Sequence, residues 1–298
     1  MLVSVIICTH DRARWIERCL EALVPRTDAP DDWEILVLAN ACTDDTTARV
    51  TGMAHRFRGA LRVVEEPTPG LSHARNVAAA IARGQYLVYL DDDAIPCTGW
   101  IDAYRNYFLR HPGIPAGGGP IDPDWGDLKK PAYWRPEFEV NRASLRFPPS
   151  TEYFPEDSLP FGANMFMQAE MFSRLGGFDR SLGMNGKRLG LAEETEWFLR
   201  LRRQGVPLGY VADAPVSHWV NPRDTTRMGL LRRAFAAGVV SVKVFGVARP
   251  PQGWLGWCRH TLSATLRCRL HMGEQVYLMM ELGRLWATSR WGRSSTQS

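Results

Sequence analysis

Three aspartates stand together at Asp91, Asp92 and Asp93, directly after the apolar run Tyr86-Leu87-Val88-Tyr89-Leu90. Like charges this close repel unless a cation sits among them. Hard carboxylate oxygens suit Mg2+ or Mn2+, ions that bridge the diphosphate of a nucleotide. Alternation along an extended strand predicts that Asp91 and Asp93 share a face and that Asp92 turns away. A solvated acidic turn is the competing reading of the triplet alone. Upstream, Pro69-Gly70-Leu71-Ser72-His73-Ala74-Arg75-Asn76 leads into a helix-like stretch. It offers Arg75 as a cation for a phosphate or as an ion-pair partner for a nearby acid. Downstream, Glu193-Glu194-Thr195-Glu196 opens a helix, where acids suit the dipole. A carboxylate so placed is also held firmly enough to act as a general base. His218, in Val216-Ser217-His218, is a candidate third metal ligand, with a hydrogen-bonded structural role as the alternative.

These residues need elements to position them. Apolar runs at Leu2 to Cys8, Ile35 to Leu38, Leu61 to Val64 and Tyr86 to Leu90 alternate with helix-like stretches at Trp15 to Val24, from about Thr43, and at Leu71 to Ala82. That alternation predicts a mostly parallel sheet flanked by helices, with ligands at the carboxyl ends of the strands. Polar residues stand at three such ends: Thr9-His10-Asp11, Asn40 to Asp45, and Asp91 to Asp93. From Gly113 to Pro160 the chain turns rich in Pro, Gly, Trp and Asp, which reads as irregular loops forming a wall or lid. Order resumes with a strand-like Phe161 to Gln168 and a helix from about Glu193.

The bulk properties are those of a globular protein, with 298 residues, 45% hydrophobic and 23% charged. A net charge of +4 is too small to argue for nucleic acid, and no nucleic-acid partner is expected. Six cysteines without a CxxC pair or zinc spacing read as reduced thiols of a cytoplasmic protein. After about Met228 basic residues dominate, with Trp254, Trp257, Trp286 and Trp291 among them. No window reaches the roughly 18 apolar residues of a membrane span. The segment is either a surface-lying membrane contact or a helical subdomain with a solvated basic face. No GxGxxG follows the first strand, which disfavours a dinucleotide dehydrogenase.

Taken in order, these motifs resemble glycosyltransferase family 2 over about residues 2–220. Val3 through Arg12 is similar to the family's first strand and nucleotide loop, and Asn40-Ala41-Cys42-Thr43-Asp44-Asp45-Thr46 to its base-and-ribose turn. Gly70 through Asn76 resembles the Gly-x-x-x-Ala-Arg-Asn element, Asp91 to Asp93 the DXD motif, and Glu193-Glu194 the acidic pair containing the base. Ala39 sits where an Asp that reads uracil is common, Glu194 where an Asp is usual, and Ala41 where a turn Gly is usual.

The resemblance implies an α/β fold of GT-A type with a C-terminal helical extension. The domain would run over 1–225, with a nucleotide-sugar half at about 1–98 and an acceptor half at about 99–225, and the basic extension over 226–298. By resemblance Asp93 and His218 hold Mg2+ or Mn2+, with Asp91 a further candidate. Thr9, Asp11, Asn40, Arg75, Asp91 and Asp92 line the nucleotide-sugar site, and Glu194 is the base. The implied reaction is inverting transfer from a nucleoside-diphosphate sugar, the uridine form expected, to a glycan, lipid-linked or small-molecule acceptor. Bacterial polysaccharide or glycoconjugate synthesis is the expected setting, in the cytoplasm or peripherally at the inner face of the membrane. A metal-dependent hydrolase and a non-catalytic nucleotide-binding module are the rival readings.

Overall fold

The computed structural model describes residues 1–24, 32–140, 144–184, 192–245 and 272–291. Arg249, Trp254, Trp257, Arg259, Arg267, Arg269 and Arg293 of the basic segment lie outside these residues, as do Cys258, Cys268 and the Gly190-Leu191 pair.

The first ninety residues fold as β1 (Val3–Thr9), α1 (Ala13–Leu23), β2 (Trp33–Asn40), α2 (Thr46–Met53), β3 (Leu61–Glu66), α3 (Leu71–Ile81) and β4 (Tyr86–Leu90). β2 is buried along its whole length and β1 nearly so. Strands covered on both faces have this near-continuous apolar sequence, which is why they are legible. α1 buries Ile16, Cys19, Leu20 and Leu23, the one-sided spacing of an amphipathic helix. One charge lies inside β2: Glu34, which accepts from Ser4 Oγ (2.8 Å), Arg83 N (2.7 Å) and Arg62 Nη1 (2.7 Å). Burial works to raise its pKa, and these partners pull it below the ordinary value. A buried carboxylate persists only when paired in this way.

The chain continues through β5 (Ala94–Pro96), α4 (Trp100–Arg110), β6 (Ala116–Gly118), β7 (Ile121–Asp124), α5 (Glu137–Val140), β8 (Asn164–Gln168), α6 (Ala169–Leu175), α7 (Glu193–Arg202), β9 (Gly209–Tyr210) and β10 (Val216–Trp219). The last described helices are α8 (Pro222–Thr225), α9 (Arg227–Phe245) and α10 (Met272–Trp291). A seven-stranded sheet runs β3-β2-β1-β4-β8-β6-β9, and a three-stranded one β5-β10-β7. β3, β2, β1 and β4 are mutually parallel, so Glu66, Asn40, Thr9 and Leu90 end along one edge. β8 pairs antiparallel with β4 and β6. Two apolar clusters line the sheet, one including Val5, Ile16 and Trp100, the other Ile6, Ala78 and Trp197.

The stretch from 113 to 160, expected to be irregular, contains β6 and β7. Ala116-Gly117-Gly118 has no large apolar or β-branched residue to signal a strand. Its glycines serve close approach instead: a Cβ on Gly117 would lie 1.9 Å from the Gly209 carbonyl oxygen on β9.

Sequence divides the chain at 225/226. The described residues form two compact units, one drawn from Met1–Asp124, Arg142–Arg188 and Glu193–Trp219, the other from Trp125–Asn141, Leu189–Ala192 and Val220–Ser298. Inside the second, Phe138, Leu230 and Met272 form a small core with Tyr133, Trp134 and Val276 against it. Trp125 and Trp134 meet edge to face at 4.8 Å. α9 and α10 pack closely, since a Cβ on Gly238 would fall 1.9 Å from the Met280 carbonyl oxygen and one on Gly283 2.1 Å from that of Phe235. No described helix is long and apolar enough to cross a membrane.

Candidate active site

β4 ends at Leu90 and the chain turns at once, the Ala94 N–H returning to the Asp91 carbonyl at 3.1 Å. The three aspartates therefore occupy a turn, and strand alternation does not govern them. The grouping is nonetheless Asp91 with Asp93, both facing His218. His218 Nε2 stands 3.1 Å from Asp93 Oδ1 and 3.9 Å from Asp91 Oδ2. One ligand atom from each of the three lies within 4.8 Å of the others. β10 delivers the histidine, pairing His218 opposite Ala94 of β5, and the Trp219 N–H donates to the Asp93 carbonyl at 3.0 Å. Trp219 in turn packs on Trp15 of α1, ring centroids 4.2 Å apart.

Asp92 faces the other way. The Thr9 hydroxyl donates to its Oδ2 at 2.7 Å, and Arg12 Nη1 lies 3.0 Å from its Oδ1 and 2.6 Å from Asp93 Oδ2. Burial pushes the Asp92 pKa up, against Arg12. For Asp93 burial also pushes upward, but His218 and Arg12 win and hold it below the ordinary value. Arg12 is a site residue that the sequence reading leaves without a role. It closes the Thr9-His10-Asp11-Arg12 run, and nothing local signals that it meets carboxylates 80 residues further on.

Arg75 is the second cation. Its side chain is 4% exposed, with Nη1 2.7 Å from Glu193 Oε1 and Nη2 2.9 Å from Asp91 Oδ1. Of the two roles open to it in sequence, the geometry is that of a buried ion pair, and its guanidinium does not stand open to a phosphate. Tyr89 and Phe178 flank it, and a Cβ on Gly162 would come within 2.5 Å of Nη2. Burial alone would lower its pKa; Glu193 and Asp91 raise it instead. Arg75 thereby links the acidic turn to the first turn of α7. There Glu194 is half-buried with a desolvated carboxyl, and burial and the adjacent Glu193 charge push its pKa up to about 8, against the pull of Arg75. The Cys8 thiol, beside the same charges, is pushed up to about 12 by burial and stays protonated, so it is no nucleophile at neutral pH.

The loop residues expected to meet the nucleotide are present at the same strand ends, with their side chains already engaged. Asn40 Nδ2 donates to the carbonyls of Glu66 (3.2 Å) and Thr68 (2.7 Å), and its Oδ1 accepts from Gly70 N (2.9 Å), so the amide builds the loop before α3. Asp11 accepts from Thr43 N (2.6 Å), Thr43 Oγ1 (3.0 Å) and Asp44 N (3.2 Å), which hold its pKa down. This clasp joins the loops after β1 and β2. It also accounts for the other ligand-like group, Asp11, Cys42 and Asp44, as a turn. Ala39 is buried at the end of β2.

A mostly parallel nucleotide-type sheet whose carboxyl edge carries a carboxylate–histidine cluster beside a second acidic pair is an arrangement of the GT-A class. Residues 4–176 match the family model of Glycosyl transferase family 2, and the chain belongs to that family of glycosyltransferases. Among curated proteins it is similar to the glucosyl-dolichyl phosphate glucuronosyltransferase of Haloferax volcanii, 26% identical over 243 residues, spanning 80% of this chain and 75% of that one. It is also similar to validoxylamine A glucosyltransferase of Streptomyces hygroscopicus subsp. limoneus, at 25% identity over 70% of this chain and 49% of the relative. Among solved structures the mannosyltransferase PcManGT of Pyrobaculum calidifontis, in complex with GDP-Man and Mn2+, shares the fold at TM-score 0.60 and 21% identity, covering 99% of this chain and 75% of that one. TarS of S. aureus with UDP-GlcNAc does so at TM-score 0.54 and 14% identity, over 94% and 79% of the two chains.

Proposed function

We propose that this glycosyltransferase moves a sugar from a nucleoside-diphosphate sugar to an acceptor hydroxyl with inversion, and that Glu194 is its general base. The observation that carries the reading is the cluster Asp91, Asp93 and His218 at the sheet's carboxyl edge, tied through Arg75 to the helix start that bears Glu194. Glu194 takes the acceptor's proton as that oxygen bonds to the anomeric carbon. The carbon–oxygen bond to the diphosphate breaks, and its electron pair leaves with the diphosphate. A single displacement inverts the anomeric centre. The raised pKa of Glu194 supports this role, because a base that holds its proton well near neutral pH accepts one more readily.

Asp91, Asp93 and His218 fit a divalent ion: two hard oxygens and one imidazole, close together and partly buried. The imidazole favours Mn2+ over Mg2+, which takes oxygen almost exclusively. Such an ion, when bound, supplies positive charge for the departing diphosphate. For the donor base, Ala39 offers no carboxylate to uracil and the Asn40 amide is occupied, so uridine has no side chain here in its particular favour. PcManGT binds GDP-Man and TarS binds UDP-GlcNAc, and both bases belong in the test. A lipid-linked sugar is the acceptor to try first, on the similarity to a glucosyl-dolichyl phosphate enzyme. Peripheral membrane contact through residues from 226 onward goes with that acceptor and is tested by flotation with anionic vesicles.

The deciding measurement is the melting temperature of the protein with UDP, GDP and their sugars, each with and without Mn2+. A ligand that binds only the folded state raises it. A metal-dependent rise with one nucleotide supports the reading and names the base. No rise with any nucleotide, in folded protein, overturns it.

A further inference from the structure

The acidic turn has two guanidinium partners, and they are held differently. Arg75 is buried and sets its two terminal nitrogens on two separate carboxylates. Arg12 has a side chain 37% exposed and places a single nitrogen, Nη1, on both Asp92 Oδ1 and Asp93 Oδ2. Its Nε and Nη2 make no hydrogen bond among the described residues. A guanidinium retained only for structure gains most by laying its fork against a carboxylate in two parallel bonds. Arg12 leaves those donors uncommitted. Its backbone, in contrast, is fixed: Arg12 N donates to Thr46 Oγ1 at 3.1 Å, and its carbonyl accepts from Trp15 N and Ile16 N at 2.9 and 3.1 Å. The root of the side chain is anchored while its end is half open.

Asp93 is the shared group, with Oδ1 toward His218 and Oδ2 toward Arg12. A divalent ion on Asp91, Asp93 and His218 repels Arg12, and a diphosphate attracts it. Both act in one direction. We propose that Arg12 is the residue that receives the donor's diphosphate, turning its uncommitted donors to the phosphate oxygens from its anchorage on Asp92 and Asp93. The inference deepens the nucleotide-sugar reading above and rests on it.

The test is calorimetric titration of the full chain, as wild type, Arg12→Gln and Arg12→Lys, with Mn2+ alone and then with GDP and UDP in the presence of Mn2+, alongside thermal melts. Arg12→Gln is expected to bind Mn2+ at least as tightly as wild type, since a competing cation is gone. It should lose roughly ten- to a hundred-fold in affinity for the diphosphate that wild type prefers. Arg12→Lys, which keeps the charge but not the fork, should recover part of that loss. Equal diphosphate affinity in all three proteins overturns the inference and leaves the donor reading standing. Mn2+ affinity and melting temperature falling together in both variants assigns Arg12 to holding the carboxylates, and overturns it as well. Wild type binding neither diphosphate with Mn2+ takes down the donor reading and this inference with it.

Discussion

At the scale of single residues, Glu194 carries the sharpest consequences. General-base catalysis contributes about 10² to 10⁴ in rate, so Glu194→Gln should cost turnover by that range while Mn2+-dependent nucleotide binding, read by melting temperature, survives. Loss of nucleotide binding along with turnover would make Glu194 a structural residue. A base must be ionised to act, so wild-type kcat/KM should climb as pH rises toward about 8. The same shift has a stability sign. Burial raises this carboxyl above its ordinary 4.5, so the folded protein holds the proton that the unfolded chain releases. Its stabilising contribution is complete below about 4.5 and is lost as pH climbs through about 8. Glu194→Gln should therefore melt no lower than wild type at pH 9, and a clear drop there would contradict a desolvated carboxyl. Asp93→Ala should abolish the metal dependence of nucleotide binding, measured by the same melts. Retained dependence would remove Asp93 from the ligand set.

At the scale of the elements, the turn after β2 shows how a departure in sequence is absorbed. Ala41 stands where a glycine is usual, and its backbone keeps the left-handed conformation at φ 49, its N–H bonded to the Glu66 carbonyl at 2.7 Å. A β-carbon there costs about 1–2 kcal/mol, part of which glycine's greater chain entropy offsets. Ala41→Gly should stabilise the protein by roughly 0.5–1 kcal/mol in urea unfolding. Destabilisation would mean that the alanine methyl contributes packing that outweighs the strain. Two loops meet at this turn through Asp11, so a change in the turn's shape is passed to the strand end that presents Thr9 and, through it, Asp92.

At the scale of the whole molecule, Asn164 joins four segments at the centre of the first unit. Its Oδ1 accepts from Tyr104 OH (2.8 Å) and Trp100 Nε1 (3.3 Å), and its Nδ2 donates to the carbonyls of Pro120 (2.9 Å) and Ala214 (2.8 Å). Asn164→Leu leaves Tyr104 OH, Trp100 Nε1 and the Ala214 carbonyl unmatched, while the Pro120 carbonyl keeps its bond from the Val216 N–H, and should cost about 3–5 kcal/mol, seen as a lower urea midpoint. A loss below about 1 kcal/mol would show that the hub is replaceable by packing alone. In the second unit Gly283→Leu should force α10 off α9, at a cost of at least about 2 kcal/mol read as faster proteolysis of that unit.

The part of the fold written in local signals is legible along the chain alone. Strands buried on both faces must be apolar throughout and α1 must be one-sided, so the order from β1 to β4 and the carboxyl edge could be read from residues alone. The placing of Glu194 at a helix start was equally legible, whereas the grouping of Asp91 with Asp93 comes from a turn after β4 and not from the strand alternation that suggested it. Which long-range partners meet is settled by the folded chain. Arg75 and Glu193 lie 118 residues apart and Arg12 and Asp93 lie 81 apart, and an ion pair leaves no periodicity in the chain. Two arginines of one chemistry thus received opposite surroundings, one sealed under Gly162 and one half open, because burial is set by what the folded chain stacks above a side chain. β6 was hidden for a related reason: its glycines answer the close approach of β9, a demand that exists only once the two strands are side by side.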